Sequence, residues 1–243
     1  MTDYVLPRKP EPSQEYKELL DAYKDLHNDT GAFKGISLVP FILVIKDLIK
    51  KNDCKTLFDY GCGKGIPYHK EYFRAADPNN EWKELDKPIQ DVWGIDEFFL
   101  YDPAHSDHDK LPNKKYDIVL CTDVLEHIPE ADLDWVIREI LNHAYKVVFI
   151  NVCAMKAFKT FPKGKHKGRN VHVSLFSHNE WVKRLANIWK DFKHLKIYLA
   201  TTGDQGKKSL KGVCIKRNID PIKKPKERKE TNVKSIDKST TSV

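Results

Sequence analysis

The stretch Thr56-Leu57-Phe58-Asp59-Tyr60-Gly61-Cys62-Gly63-Lys64-Gly65 decides the fold of this chain. Its first five residues form a short apolar run that stops at a glycine, which is typical of a buried parallel strand that enters a loop before a helix. Glycines at alternate positions allow a ligand to lie against the main chain beside a helix N-terminus. Their spacing is G-x-G-x-G, whereas dinucleotide sites have G-x-G-x-x-G and P-loops contain G-K-[ST]. Both of those cofactor classes therefore lose support.

Strand-like and helix-like segments alternate along the rest of the chain. We predict strands at residues 98–102, 116–121, 146–151, 195–200 and 212–216, and helices at 38–49, 130–144 and 178–189. An amphipathic helix that begins after a candidate cap at Ser13 is expected to pack across the domain edge. The alternation predicts a mainly parallel sheet that is covered on both faces. Because the last two strands are joined by a short polar loop (TTGDQGKKS), we predict a C-terminal antiparallel hairpin.

A second motif begins about 60 residues after the glycine loop and reads Asp117-Ile118-Val119-Leu120-Cys121-Thr122-Asp123-Val124-Leu125-Glu126-His127-Ile128-Pro129. With the acid and G-x-G-x-G of the first motif, it resembles the class I S-adenosylmethionine-dependent methyltransferases, in which this strand and loop read D-x-V-x-x-x-x-V-L-E-H. The resemblance covers residues 56 to about 216. It implies an α/β, Rossmann-like, doubly wound fold with a mainly parallel sheet of the seven-stranded type. It also implies S-adenosylmethionine (SAM) as the cofactor and an enzyme that transfers its methyl group.

The resemblance also implies roles for the glycine loop. In this family the loop lies under the methionine and ribose portion of the cofactor, so Gly61, Gly63 and Gly65 are expected to allow close approach to the backbone. Asp59 is expected to orient the loop or to receive the cofactor's ammonium group.

An acid at the end of the second strand accepts the two ribose hydroxyls in this family. Asp102 is the preferred candidate and Asp96 is the competitor. We prefer Asp102 because only five residues separate Asp96 from it, which is too few for a further helix between two parallel strands. We expect an insertion at residues 71–88, and the short stretch between Asp102 and Asp117 leaves little room for the usual helix and third strand. The weak candidates for adenine contacts are Asp107, His108 and Leu111.

The catalytic residues are harder to assign, because a sulfonium is already an activated methyl donor and needs placement more than acid or base. His172 is the first candidate for a base and His127 is the second, with a purely structural histidine as the alternative for each. Asn151 is a candidate for orienting the acceptor. Asp123 is assigned to the cofactor site, although a favourable charge at a helix start explains Asp123 or Glu126 equally well.

The positive charge is concentrated at the C-terminal end. The 243 residues carry a net charge of +7, of which residues 216–243 contribute nine Lys or Arg against four acids. We therefore divide the chain into an N-terminal helical lead (1–52), a methyltransferase domain (53–217) and a basic disordered tail (218–243). A lysine-rich run at 156–169 is a candidate anion-facing loop, with a solvated surface loop as the alternative.

Several other classes of protein lose support from the composition. The five cysteines include no C-x-x-C pair, so we expect no metal site. No apolar stretch approaches the roughly 20 residues of a membrane-spanning helix, and the first residues lack a secretory signal, so a cytoplasmic location is expected.

The acceptor of the methyl group is not identified by any residue pattern. The favoured prediction is methyl transfer to an O or N atom of a small acceptor, sugar-like or anionic. A nucleic-acid methyltransferase is an alternative, although little positive charge remains outside the tail. A non-catalytic SAM-binding or scaffold domain is a further alternative.

Overall fold

The computed structural model describes residues 10–28, 31–69 and 88–203, together with the backbone of residues 211–215. Most of the expected insertion at 71–88 and the whole predicted tail lie outside these ranges. The fold described below therefore concerns the central part of the chain and the strand near its C-terminal end.

The sheet contains six strands within the described ranges, in the order β2-β1-β3-β4-β5-β6. They are β1 (Thr56–Tyr60), β2 (Glu97–Tyr101), β3 (Tyr116–Thr122), β4 (Ala144–Cys153), β5 (Lys196–Thr202) and β6 (Lys211–Ile215). The first five are parallel, and β6 pairs antiparallel with β5. This confirms the α/β class and the parallel sheet of a Rossmann-like fold. A seventh strand is not shown, and the residues that would close the predicted hairpin lie outside the described part.

The register of the strands brings three predicted site residues to one edge of the sheet. Tyr60 pairs with Tyr101 across β1 and β2, and Thr122 pairs with Asn151 across β3 and β4. The residues that directly follow the first three strands are Gly61, Asp102 and Asp123. Because ligands of open α/β sheets bind at the carboxyl ends of the strands, this edge is the place to look for a site.

The helices are α1 (Gln14–His27), α2 (Ile42–Lys51), α3 (Ile89–Trp93), α4 (Glu130–Asn142) and α5 (His178–Trp189). The predicted cap is confirmed, since the Ser13 side chain accepts a hydrogen bond from the Tyr16 N–H. The prediction of one helix over 38–49 is wrong in its first four residues, where Pro40 lies in a 3-10 helix (Ile36–Phe41) before α2 begins. Proline removes an N–H donor and restricts the residue before it, which disfavours a continuous α-helix. Among the described helices, none is long and apolar enough to cross a membrane.

The hydrophobic core lies on both faces of the sheet, as predicted. Phe58 and Tyr60 of β1 face a cluster formed with α4 and α5. Leu57 faces the opposite cluster, which is formed with α2 and α3. A third cluster joins Leu19, Leu26 and Tyr23 of α1 to Phe161 and Val171. This third contact holds α1 against the loops that follow the carboxyl end of β4.

Candidate functional site

A cavity of about 530 Å³ lies at the carboxyl ends of the strands, which is within the usual size range of small-molecule sites. Its walls are formed by α1, by residues 31–37 that follow this helix, and by the loops that follow β1 to β4. Six residues predicted for the site line this cavity: Gly61, Gly63, Asp102, Asp123, His127 and His172. Asp59 and Gly65, which were predicted to bind the cofactor, are not among its lining residues.

Asp102 is buried at the cavity wall and is fixed by two backbone donors. Its Oδ2 accepts a hydrogen bond from the Gly63 N–H at 3.0 Å, and its Oδ1 accepts one from the Ala104 N–H at 2.8 Å. Burial raises the pKa of the Asp102 carboxyl above its usual value. His27 Nε2 lies 3.7 Å from Oδ1. Because burial lowers the pKa of His27 to about 4, this contact is not an ion pair at neutral pH.

Asp96, the competitor of Asp102, lies at the opposite edge of the sheet. It precedes β2 and is exposed, and its backbone N–H donates to the Lys55 carbonyl at 2.8 Å. Since β2 runs from Glu97 to Tyr101, Asp96 and Asp102 are separated by the full length of that strand. The carboxylate beside the cavity is therefore that of Asp102.

The glycines of the first loop are required by contacts within the protein itself. Gly63 has a φ of +58°, and a Cβ there would lie 2.3 Å from the Phe33 carbonyl oxygen. Gly61 has a φ of +82°, and a Cβ there would lie 2.2 Å from a methyl group of Val124. L side chains rarely adopt such angles, and both positions lack space for a side chain. The loop can therefore take this shape beside the cavity only with glycine at both positions.

Asp59 is buried beneath this loop. The Tyr68 hydroxyl donates a hydrogen bond to Oδ2 at 2.7 Å, whereas Oδ1 has no hydrogen-bond partner among the described residues. Burial raises the pKa of Asp59 to about 7, against the lowering effect of the Tyr68 hydrogen bond. Of the two expected roles, this position agrees with orienting the loop.

Asp123 is held in an unusual backbone conformation at the end of β3. Its φ is +62°, which is uncommon for a residue other than glycine and is found more often at functional sites than elsewhere. Its N–H donates to the Asn151 carbonyl at 3.0 Å, and its Oδ2 accepts from the Ser37 hydroxyl at 2.7 Å. Burial would raise the pKa of Asp123, but the adjacent His127 and the Ser37 hydrogen bond hold it below its usual value.

The two candidate catalytic histidines contact each other. The rings of His127 and His172 lie edge to face with centroids 4.8 Å apart. The Nδ1 atom of His127 is 2.9 Å from the Val171 carbonyl, and that of His172 is 2.6 Å from the Met155 carbonyl. Because a carbonyl oxygen can only accept, Nδ1 of each ring must carry a proton, and Nε2 is the nitrogen that remains for another contact. Burial lowers the pKa of His127 to about 4.

Glu126 connects the loop after β3 to the end of β4 and to the residues that follow His172. Its side chain is fully buried and accepts a hydrogen bond from the Cys153 N–H, while its carbonyl accepts from Val173 and Ser174. Burial and the neighbouring charge of Asp123 raise the pKa of Glu126 well above its usual value. The alternative role at a helix start also agrees with the structure, because Glu126 lies in the first turn of a short 3-10 helix (Leu125–His127) that precedes Pro129.

Several residues that were weaker candidates for the site do not line the cavity. Asp107, His108 and Leu111, the candidates for adenine contacts, do not line it. Asn151 is a buried residue of β4 whose carbonyl holds the Asp123 N–H, and its side chain does not line the cavity.

The lysine-rich run is divided between two roles. Three of its cations form ion pairs with acids of α1: Lys163 with Asp25 at 3.1 Å, Lys165 with Glu18 at 2.9 Å and Arg169 with Glu15 at 2.6 Å. By contrast, Lys156 and Lys159 line the cavity, as does Lys34. Within the described part of the chain, none of these three lysines forms an ion pair.

Sequence reasoning did not place α1 at the cavity. Tyr16, Leu19, Leu20, Tyr23 and His27 all line it from this helix. The sequence feature that could have indicated this position is the group of acids on α1, whose charge is opposite to that of the cations at 156–169. Such a match over more than 130 residues of intervening chain cannot be recognised before the fold is known.

Comparison with known proteins supports the resemblance that the two motifs indicated. The chain is 26% identical over 179 residues to the ubiquinone biosynthesis O-methyltransferase of Hydrogenovibrio crunogenus, an alignment that covers 65% of this chain and 71% of that protein. No family model matches the chain. The relative confirms the prediction of a class I methyltransferase-like enzyme, and it leaves the acceptor unidentified.

Proposed function

We propose that this protein transfers a methyl group from SAM to an O or N atom of a small acceptor, with a hydroxyl oxygen favoured because the relative is an O-methyltransferase. The observation that carries the proposal is the meeting of the glycine loop, Asp102 and a histidine pair in one cavity of suitable size. The assignment of residues 53–217 to the methyltransferase domain and a cytoplasmic location belong to the same proposal.

The residues present fit this cofactor. Each oxygen of Asp102 uses one lone pair for a backbone donor, which leaves acceptor capacity for the two hydroxyls of a ribose. The Gly61–Gly63 backbone borders the same space. When bound, SAM supplies a methyl group on a positively charged sulfur. The remaining tasks for the protein are to orient the acceptor, exclude water and accept a proton.

The histidine pair is suited to the proton transfer. The Nδ1 hydrogen bonds to Val171 and Met155 fix both rings and leave Nε2 as the basic atom. His172 stays our first candidate for the base, because the pKa of His127 is lowered to about 4 and the His127 ring packs against the side of the His172 ring. Which ring accepts the proton depends on how the acceptor lies in the cavity.

The cavity walls favour an acceptor that has both an apolar part and an acidic group. Tyr16, Leu19 and Leu20 present an apolar wall, which would hold a sugar poorly. Lys156 and Lys159 add positive charge to the lining and are not neutralised by α1. We therefore place an anionic acceptor ahead of a sugar-like one. A nucleic-acid substrate loses support, since half of the basic run is paired with α1.

The first experiment is calorimetric titration with SAM and with S-adenosylhomocysteine. We expect micromolar binding that is lost in Asp102→Ala and kept in the matched control Asp96→Ala. Because Asp102 also anchors two backbone amides, Asp102→Asn is measured alongside, and a thermal melt reports folding for each variant. Equal loss in both alanine variants, or no binding to the folded wild type, would contradict the proposal.

Turnover distinguishes an enzyme from a binding domain. Small hydroxylated carboxylic acids and their neutral amide analogues are incubated with SAM, and release of S-adenosylhomocysteine is measured. We expect turnover of the acids, with a raised KM in Lys156→Gln. Tight SAM binding without turnover of any acceptor would favour the scaffold alternative.

A further inference from the structure

Three cavity-lining residues from two separate loops form a cluster of possible metal ligands. Asp123 follows β3, His127 lies four residues later at the end of a short 3-10 helix, and His172 comes from the loop after the lysine-rich run. One ligand atom of each residue lies within 4.8 Å of a ligand atom of both others. In the described ranges this is the one group of three such residues.

The surroundings of the cluster orient its donor atoms. The Nδ1–H group of each histidine donates a hydrogen bond to a backbone carbonyl. Metal-binding histidines are usually oriented in this way, by a hydrogen bond from the ring nitrogen that does not bind the metal. The Asp123 carboxylate is oriented in turn by the Ser37 hydroxyl at Oδ2 and by a hydrogen bond with the Glu126 carboxyl. Two imidazole nitrogens and one carboxylate oxygen therefore converge on one volume.

The backbone adds an independent observation. Asp123 keeps a φ of +62° although it has a side chain, and such conformations persist where the surrounding structure enforces them. The single O–H of Tyr23 is shared between the carbonyl oxygens of His127 and Val171, at 3.1 and 2.7 Å, and so connects the two loops that carry the histidines. The fold thus holds together three side chains that are not needed for the hydrophobic core.

We propose that Asp123, His127 and His172 bind a divalent transition-metal ion at the wall of the cavity. Two imidazoles and one carboxylate suit zinc, iron or manganese, and three protein ligands leave coordination positions open. Ligands about 2.1 Å from a tetrahedral ion are about 3.4 Å apart, so small side-chain rotations close the cluster. This departs from the expectation of no metal, which rested on cysteine spacing alone.

The use of this ion rests on the proposed function. The open positions face the cavity, where a hydroxyl of the acceptor can coordinate. A bound cation lowers the pKa of a coordinated hydroxyl. The proton passes to solvent water, and the oxygen keeps the electron pair of the broken O–H bond. The histidines would then act as ligands, and neither would need to serve as the base.

The test uses the full chain after treatment with a chelator and dialysis. Zn²⁺ is titrated by calorimetry, and Co²⁺ is titrated by visible absorption, which reports its ligands directly. We expect one ion per chain, with the affinity lowered at least about tenfold in Asp123→Asn and in His172→Gln. His105→Gln is the matched control, because His105 belongs to a different histidine group, beside His27 and His108, and should leave the affinity unchanged.

Each outcome decides the inference. Binding that is lost in the two cluster variants and kept in the control supports it, provided that thermal melts show all proteins folded. If a variant does not fold, the Co²⁺ spectrum of the wild type decides, since it must show nitrogen and oxygen ligation. No binding of either ion, or binding unaffected by the cluster variants, overturns it.

The proposed metal site and the proposed methyltransferase function can be refuted independently of each other. SAM binding is measured in the metal-free protein by the same calorimetry. Zn²⁺ binding without SAM binding would contradict the proposed function and leave the metal site standing. SAM binding without cluster-dependent metal binding would do the reverse.

Discussion

The burial of the Asp59 carboxyl should make the free energy of unfolding depend on pH. Its side chain is buried, and its pKa is raised to about 7 in the folded protein, against 3.8 as the ordinary value. Between these two values the folded state binds more protons than the unfolded state. Stability therefore falls as the pH rises from about 4 to about 7, and it levels off above that range.

The magnitude follows from the size of the shift. Three pKa units correspond to about 4 kcal/mol over the whole window, since one unit is about 1.4 kcal/mol. An experiment from pH 5 to pH 8 covers about two pH units of this window, those between pH 5 and pH 7. Asp59→Asn removes the titrating group, so the variant should gain about 2.5 kcal/mol of unfolding free energy relative to wild type across that interval. Any constant effect of the amide cancels in this comparison.

The assay is urea unfolding followed by tryptophan fluorescence at several pH values from 5 to 8. The exposed Asp96→Asn serves as the matched control, since it removes an acid from the other edge of the sheet. A difference between wild type and Asp59→Asn that stays constant over this range would refute the reasoning. It would mean that Asp59 is as readily ionised in the folded protein as in the unfolded chain.

Three further changes test the loop, the tail and α1. Gly63→Arg should abolish SAM binding in calorimetry, and Gly63→Ala should lower the melting temperature more than Gly94→Ala, because a Cβ at Gly94 meets no atom within 4 Å. Deletion of residues 221–243 should leave SAM affinity within about twofold, and a large loss would show that the tail contributes to the site. Tyr23→Phe should lower the unfolding free energy by about 1–3 kcal/mol in urea, because two backbone carbonyls lose a buried donor.

The strands and the candidate cofactor residues could be predicted because their signals are local. A buried strand is a short apolar run, so β1 was predicted with its observed bounds, and Asp102 was predicted as the last residue of β2, which ends one position earlier in the structure. The motif that contains Asp123 and His127 was recognised for the same reason. The break before α2 was missed, although Pro40 marked it.

The rest depended on contacts between distant parts of the chain. The sequence does not show that His172 meets His127, since the two are brought together by the paths of two loops. It likewise could not show which cations of the run at 156–169 face α1 and which face the cavity. Periodicity predicts that a helix is amphipathic, but the surface on which it packs is decided by the whole fold.

The contacts of α1 also set an order of events during synthesis. Its partners lie far along the chain: Ser13 binds Asp132, and Tyr23 binds the Val171 carbonyl. A ribosome releases α1 long before those partners, at about 5–20 residues per second. The helix must therefore wait, with its apolar face exposed, for several seconds after it emerges. The wall that completes the cavity is therefore made before its partners and can pack only after them.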